Sequence, residues 1–163
     1  MEEWVLSSRL EWNEYFMLLS YIVASRSTCD RAYVGCVLTR DNRLLSSGYN
    51  GSAPGLPHCE DEGHLLQDGH CIRTIHAEQN AVSQCAKDGI ETKGATAYVT
   101  HFPCINCSKT LISAGISTLY YLYDYRVNEV ALKMLEDSGM KVINLDNIDP
   151  SESFNNQVVN RGR

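Results

Sequence analysis

The chain has 163 residues, enough for one domain with a full hydrophobic core. Its net charge of −6 argues against sequence-independent nucleic-acid binding, which needs a basic footprint, so no nucleic-acid partner is expected. No apolar run is long enough to span a bilayer, and the acidic start Met1-Glu2-Glu3 is unlike a secretion signal, so no membrane partner and a cytoplasmic location are expected.

In chain order, residues 10–25 carry Leu10, Tyr15, Leu18, Leu19, Ile22 and Val23 at helical spacing, an amphipathic first helix. Residues 34–39 and 44–49 read as two strands, and Asp41-Asn42-Arg43 between them is turn chemistry, so they form a hairpin. Residues 50–73 are rich in Gly, Pro, His and Asp with little periodicity; a loop this long is functional or held by a staple. A helix opens near residues 74–76 and runs to about Lys87, ending before Gly89; residues 96–101 form a short strand. Pro103 begins the next helix, where its missing N–H costs nothing, and Gly115 ends it. Residues 118–123 are a strand, 127–137 a helix stopped by Gly139, and 141–145 the last strand; the polar residues 150–163 are expected to form a loose tail. The order α-β-β-α-β-α-β-α-β, with strand–helix alternation in its second half, implies parallel neighbours joined by crossover helices. The expectation is an α/β fold: a single domain over 1–163, a three-layer α/β/α sandwich around a mixed, mainly five-stranded sheet.

Seven cysteines, an odd count with C-x-x-C spacing and no secretion signal, favour metal ligation over disulfides. Cys36 and Cys85 lie in apolar surroundings and read as core. Two short segments stand out: His76-Ala77-Glu78 and Pro103-Cys104-Ile105-Asn106-Cys107. His76, Cys104 and Cys107 suit zinc, and three protein ligands leave a fourth position open for water. Glu78, two residues after the histidine, can sit beside that water as the catalytic proton shuttle. A closed structural site would leave Pro103 and Glu78 unexplained, and a redox pair would make His76 and Glu78 coincidental. Both cysteines fall in a first helical turn and His76 at a helix start, where the helix dipole favours thiolate ligation. Such termini at the carboxyl ends of parallel strands mark the usual ligand crevice of open α/β sheets.

The H-x-E…P-C-x-x-C pairing is the pattern of zinc nucleobase deaminases, and the chain resembles the deoxycytidylate (dCMP) deaminases of the cytidine deaminase superfamily. The resemblance also runs through Glu11-Trp12-Asn13-Glu14-Tyr15-Phe16-Met17, Ala24-Ser25-Arg26-Ser27, Val34-Gly35-Cys36, Gly48-Tyr49-Asn50-Gly51, Glu78-Gln79-Asn80-Ala81, Tyr98-Val99-Thr100 and Ala114-Gly115-Ile116, covering residues 10–145. It implies conversion of dCMP and water to dUMP and ammonia, supplying thymidylate synthesis. It further implies a homohexamer activated by dCTP, with Mg2+ accompanying the triphosphate, and inhibited by dTTP. Substrate contacts are expected at Asn50, Ala77 and Phe102, the last as a wall for the cytosine ring. Arg26 is the first candidate for the phosphate. Tyr123, with Tyr121 and Tyr125, is placed to stack on a base or meet a phosphate, against the plainer reading of alternating core and surface tyrosines. Gly48, Tyr49 and Gly51 are assigned to an effector nucleotide, against a simple hairpin exit turn.

Cys29, Cys59, Cys71, His58, His64 and His70 crowd the first hairpin and the long loop, outside the catalytic motif. Three cysteines and one histidine make a closed structural zinc set, which would order the loop; Cys29, Cys59 and Cys71 are its members and His70 or His64 the fourth. Free thiols in a flexible loop are the alternative. Two competing functions remain at this stage: a deaminase of another cytosine or adenine nucleoside substrate, and an inactive zinc-stapled interaction protein.

Overall fold

A computed structural model describes residues 9–124 and 127–159. Helix α1 (Trp12–Ala24) leads into the hairpin of β1 (Gly35–Arg40) and β2 (Arg43–Tyr49). The hairpin turns on Asp41 and Asn42, both at positive φ (51° and 56°), with Arg40 facing Arg43 across it. Two left-handed residues in a two-residue loop match the twist of the flanking strands, and Asp and Asn tolerate that conformation.

The segment expected as a plain loop contains short pieces: β3 (Gly51–Ser52), α2 (Cys59–Glu62), β4 (Leu66–Gln67), β5 (His70–Cys71) and β6 (Thr74–Ile75). β3 pairs with β6, and β4 with β5, so the chain folds back on itself twice. Helix α3 (Ala77–Asp88) follows, then β7 (Thr96–His101), α4 (Ile105–Ser113), β8 (Thr118–Tyr123), α5 (Glu129–Asp137), β9 (Lys141–Asn144) and α6 (Pro150–Phe154). Two boundaries shift from expectation. Residues 74–75 pair as a strand, so α3 starts after His76; Pro103 precedes the cap of α4, which is Cys104.

The sheet order is β2-β1-β7-β8-β9, antiparallel from β2 to β7 and parallel from β7 to β9, the mixed five-stranded sheet the pattern implied. Period-two alternation sends successive side chains to opposite layers. Val37 and Tyr98 pack with Phe16, Met17, Leu122 and Leu145 on the α1 side. Cys36, Leu38, Ala97 and Val99 pack with Ala77, Ala81, Leu111 and Leu135 on the side of α3, α4 and α5. Gly35 allows β1 to approach α1, since a Cβ there would stand 1.9 Å from the Ser20 carbonyl oxygen.

The expected loose tail is corrected as far as residue 159. Asp149 caps α6 by accepting from the backbone N–H groups of Ser151 and Glu152, and Pro150 occupies the first turn. Pro150 and Ser153 are buried, and the Ser153 hydroxyl hydrogen-bonds Glu14 of α1; residues 155–159 continue as a π-helical turn. The remainder of that tail, 160–163, lies outside the described residues, as do Met1-Glu2-Glu3. Among the described residues, no helix is long and apolar enough to cross a membrane.

Candidate metal and nucleotide site

The motif residues meet where two helices begin beside the end of β7. Backbone geometry explains why. β7 ends at His101, the chain turns through Phe102 and Pro103, and Cys104 caps α4 with its Sγ accepting from the Cys107 N–H (3.5 Å). Cys107 is three residues on, so both sulfurs lie at the same helix end. His76 caps α3 from the neighbouring segment, its N–H held by Gln79 Oε1 at 3.3 Å. His76 Nδ1 lies 3.4 Å from Cys107 Sγ and 3.6 Å from Cys104 Sγ, and the three donor atoms all fall within 4.8 Å of one another. One imidazole nitrogen and two sulfurs at this spacing can share one ion, and the set suits zinc. Cys107 lies under the surface while His76 and Cys104 remain exposed, so the cluster is open on one side.

The electrostatics agree with that donor set. Hydrogen bonding with Cys107, foremost, and with His76 outweighs burial and lowers the Cys104 thiol to about 3. The neighbouring Cys104, with burial, raises the Cys107 thiol far above its ordinary range. One anionic sulfur thus suppresses ionisation of the second. Glu78 is buried in the first turn of α3, with its carboxyl raised by desolvation. Beneath it the fully buried Cys36 thiol is pushed well up, by desolvation first and then by Glu78.

A cavity of about 270 Å³ opens onto the cluster; His76, Ala77, Glu78, Cys104 and Phe102 line one end. Asn50, Ala32, Val34, Arg31, His70, Cys71, Thr74, His101 and Cys29 complete its wall. Asn50 is buried; its Nδ2 donates to the Ala32 carbonyl (2.8 Å) and its Oδ1 accepts from the Val34 N–H (2.9 Å). Thr100 Oγ1 accepts from the Gly35 N–H (3.1 Å) and joins His101 Nδ1 at 2.9 Å. Burial lowers the His101 pKa.

Of the expected substrate contacts, Asn50, Ala77 and Phe102 line this cavity, and two do not. Arg26 sits exposed in the turn after α1, away from the cavity wall; Arg31, five residues on, is the cation the wall contains among the described residues. Tyr123 lies behind His101, ring centroids 5.1 Å apart, and Tyr121 packs edge-on against Phe102, so both support the wall without lining it. Tyr125 lies outside the described residues. Gly48 is buried under α3, where a Cβ would meet the Ala77 carbonyl oxygen at 2.3 Å; Gly51 packs beside the Tyr49 ring. Arg31, Thr74 and His101 were not singled out in the sequence. A cation two residues past Cys29 was the available signal for the first, and nothing distinguished the others.

The second set of donors also converges. Cys29, Cys59 and Cys71 Sγ and one His64 ring nitrogen lie within 4.8 Å of one another. His64, and not His70, is the fourth member: Cys29 Sγ is 3.6 Å from His64 Nδ1, and Cys59 Sγ 3.6 Å from Cys71 Sγ. His70 lines the cavity, as Cys71 beside it does, but lies outside this donor set. His64 Nε2 donates to Asp30 Oδ1 at 3.0 Å, the kind of carboxylate contact that orients an imidazole able to ligate a metal. Burial and the neighbouring thiols push Cys59 up to about 12. At Cys71 burial is outweighed by hydrogen bonds from the Arg73 backbone and His64, which bring it down to about 6.

Comparisons with known proteins agree with this geometry. The cytidine and deoxycytidylate deaminase zinc-binding region matches residues 10–123. ComE operon protein 2 of Bacillus subtilis is 52% identical over 134 residues, 82% of this chain and 71% of that protein. The deoxycytidylate deaminase of Saccharomyces cerevisiae is 36% identical over 140 residues, 82% of this chain but 45% of the yeast enzyme, so the chain spans under half of that relative. Among solved structures, the dCMP deaminase of cyanophage S-TIM5 in complex with dCMP and dUMP superposes with a TM-score of 0.74 at 30% identity, covering 85% of this chain and all of the phage one. A three-donor cluster compatible with Zn2+, a buried glutamate beside it and a match over most of the domain carry one conclusion: the chain belongs to the cytidine and deoxycytidylate deaminase family.

Proposed function

We propose that the protein hydrolyses dCMP to dUMP and ammonia, in the cytoplasm and in supply of thymidylate synthesis. The observation that carries this reading is a buried carboxylate, Glu78, lining a cavity whose other lining includes Arg31. Burying a carboxylate is costly, and a purely structural metal site gives it nothing to do; that disfavours an inactive zinc-stapled protein. His76, Cys104 and Cys107 would hold the zinc ion, which when bound supplies Lewis acidity that makes water acidic near neutral pH. Glu78 receives the proton of the attacking water, delivers it to the ring nitrogen beside the attacked carbon, and assists the departure of ammonia. Phe102 and Ala77 bound the base, and Asn50 holds the 32–34 segment that forms the adjoining wall. Arg31 replaces Arg26 as the phosphate ligand, since a guanidinium can present a fork to phosphate oxygens.

Cys29, Cys59, His64 and Cys71 bind a second, structural zinc. The enzyme works as a homohexamer activated by dCTP with Mg2+ and inhibited by dTTP. Resemblance supports this regulatory part; within the Gly48-Tyr49-Gly51 effector segment, Tyr49 is the member with a half-exposed side chain.

Ammonia release from dCMP, compared with cytidine and CMP, tests the substrate. Glu78→Gln should retain zinc and fold but lose at least about a hundredfold in turnover, since general acid–base groups contribute about 10²–10⁴. Wild-type turnover in that variant would sink the shuttle role. Rate curves across dCMP concentration, with and without dCTP and Mg2+, test regulation; hyperbolic curves unmoved by dCTP from a monomer would remove it.

A further inference from the structure

The far wall of the nucleotide cavity is built from two segments that share almost no hydrophobic packing. One is the connection between α1 and β1, carrying Cys29, Asp30, Arg31 and Ala32. The other carries His64, Gly69, His70 and Cys71, and every residue from 60 to 70 is exposed. Regular structure in the second segment amounts to the two-residue pairing of Leu66 and Gln67 with Cys71 and His70. Such a segment has little apolar burial to fix its position.

Polar links do join the two segments, and they fall in one place. Arg31 Nη2 donates to the Gly69 carbonyl at 2.8 Å, His64 Nε2 meets Asp30 at 3.0 Å, and Cys29 Sγ meets His64 Nδ1 at 3.6 Å. Cys29 and Cys71 are at once donors of the second cluster and lining residues of the cavity. Arg31 follows one of them by two residues; His70 immediately precedes the other. The cluster therefore stands directly behind the two basic side chains of this wall.

Resting on the reading above, that the cavity takes a nucleoside monophosphate, we propose that the Cys29–Cys59–His64–Cys71 metal clip confers selectivity for nucleotide over nucleoside. Clipping the two segments together fixes the Gly69 carbonyl, which holds one edge of the Arg31 guanidinium. The other edge is then presented to phosphate with little rotamer freedom left to lose. Cys59, His64 and Asp30 act as positioning residues, because none of them lines the cavity. The base end stands on α3, β7 and α4, which the clip does not touch. Loss of the clip should thus weaken phosphate recognition and spare the chemistry.

The test uses the full-length zinc-loaded protein with Cys59→Ser and Asp30→Asn. Zinc per chain, kcat and KM for dCMP and for deoxycytidine, and dUMP affinity by calorimetry are measured. Cys59→Ser should lower zinc from two ions to one. It should raise the dCMP KM and weaken dUMP binding by about tenfold or more, the scale of one lost charge-assisted contact. The dCMP kcat should stay within about twofold, and kcat/KM for deoxycytidine should not move. Asp30→Asn leaves every donor in place and weakens the site by about 10–100-fold. Its dUMP affinity should fall as a chelator strips the second ion and recover when zinc is restored, which keeps the proposal testable if Cys59→Ser does not fold. One zinc per wild-type chain, an unchanged dCMP-to-deoxycytidine ratio after loss of the second ion, or equal losses on both substrates would each overturn it. A wild-type protein inactive on dCMP would overturn the deaminase reading instead, while dUMP binding would still report on the clip.

Discussion

Asn50→Ala removes a side chain that is 7% exposed and holds together the wall between α1 and β1. Two hydrogen bonds are lost, from Nδ2 to the Ala32 carbonyl and from the Val34 N–H to Oδ1. The backbone links of Asn50 to Thr28 and Val34 remain. Each orphaned backbone group costs about 1–3 kcal/mol, toward the lower end where water can replace the partner. Ala32 and Val34 both border the cavity, so water can reach them and the sum is about 2–4 kcal/mol. For a domain of this size that shifts Tm by about 4–16 °C. Asn50→Asp sharpens the point. It keeps an acceptor for Val34 but sets an oxygen against the Ala32 carbonyl, so it should destabilise at least as much although its shape is conserved. Thermal unfolding at fixed, saturating zinc measures both variants, and calorimetry gives their dUMP affinity. Each should retain the zinc at His76, Cys104 and Cys107 and bind dUMP more weakly. A Tm drop under about 2 °C in Asn50→Ala, or an aspartate variant as stable as the parent, would refute this account.

Gly48→Ala should destabilise by about 1–3 kcal/mol, as overpacking does, because the new Cβ meets backbone on α3 that cannot yield alone. Activity should fall with it, since Ala77 and Glu78 ride on that helix; unchanged urea midpoint and kcat would contradict the packing. The Asp149 carboxyl is held below its ordinary value, first by the Ser151 hydroxyl and then by the N–H groups of Glu152 and Ser151. A depressed acid stabilises fully above its unfolded pKa and loses that contribution as pH falls through the folded one. Acid titration followed by hydrogen exchange should therefore release α6 at low pH and not at high pH, and Asp149→Asn should blunt the effect.

The parts legible in the sequence are those written in consecutive residues. A period-two or 3.6-residue pattern, a Pro or a Gly at a boundary and a pair of motifs at helix starts each report on a local backbone. Hence the sheet, its helices and the convergence of His76, Cys104 and Cys107 are legible in the sequence alone. The expected loose tail failed for a tertiary reason: α6 is short and polar, and it is held by its Asp149 cap and by the contact of Ser153 with Glu14. Arg26 stands out in the sequence because it follows the first helix inside a family-like stretch; which arginine borders the cavity depends on how the chain turns between Ser27 and Val34, where Ser27 Oγ reaches the carbonyls of Cys29, Ala32 and Asn50.

The choice of His64 over His70 has the same origin, and it shows how the cavity divides. At the chemical end, regular elements set every position: β7 delivers Cys104, α3 carries Glu78, and the core beneath both is close-packed. Side-chain placement there follows from helix and strand periods that the sequence displays. At the far end no period exists, since the segment has two-residue strands and no buried apolar side chain between residues 60 and 70. Order there must come from polar closure, and closure depends on which donors meet in space. In a two-residue strand no period tells His70 from Cys71: both border the cavity, and of the two Cys71 also joins the thiol cluster. The imidazole at residue 70 stays on the cavity wall, and the one at residue 64 completes the thiol cluster.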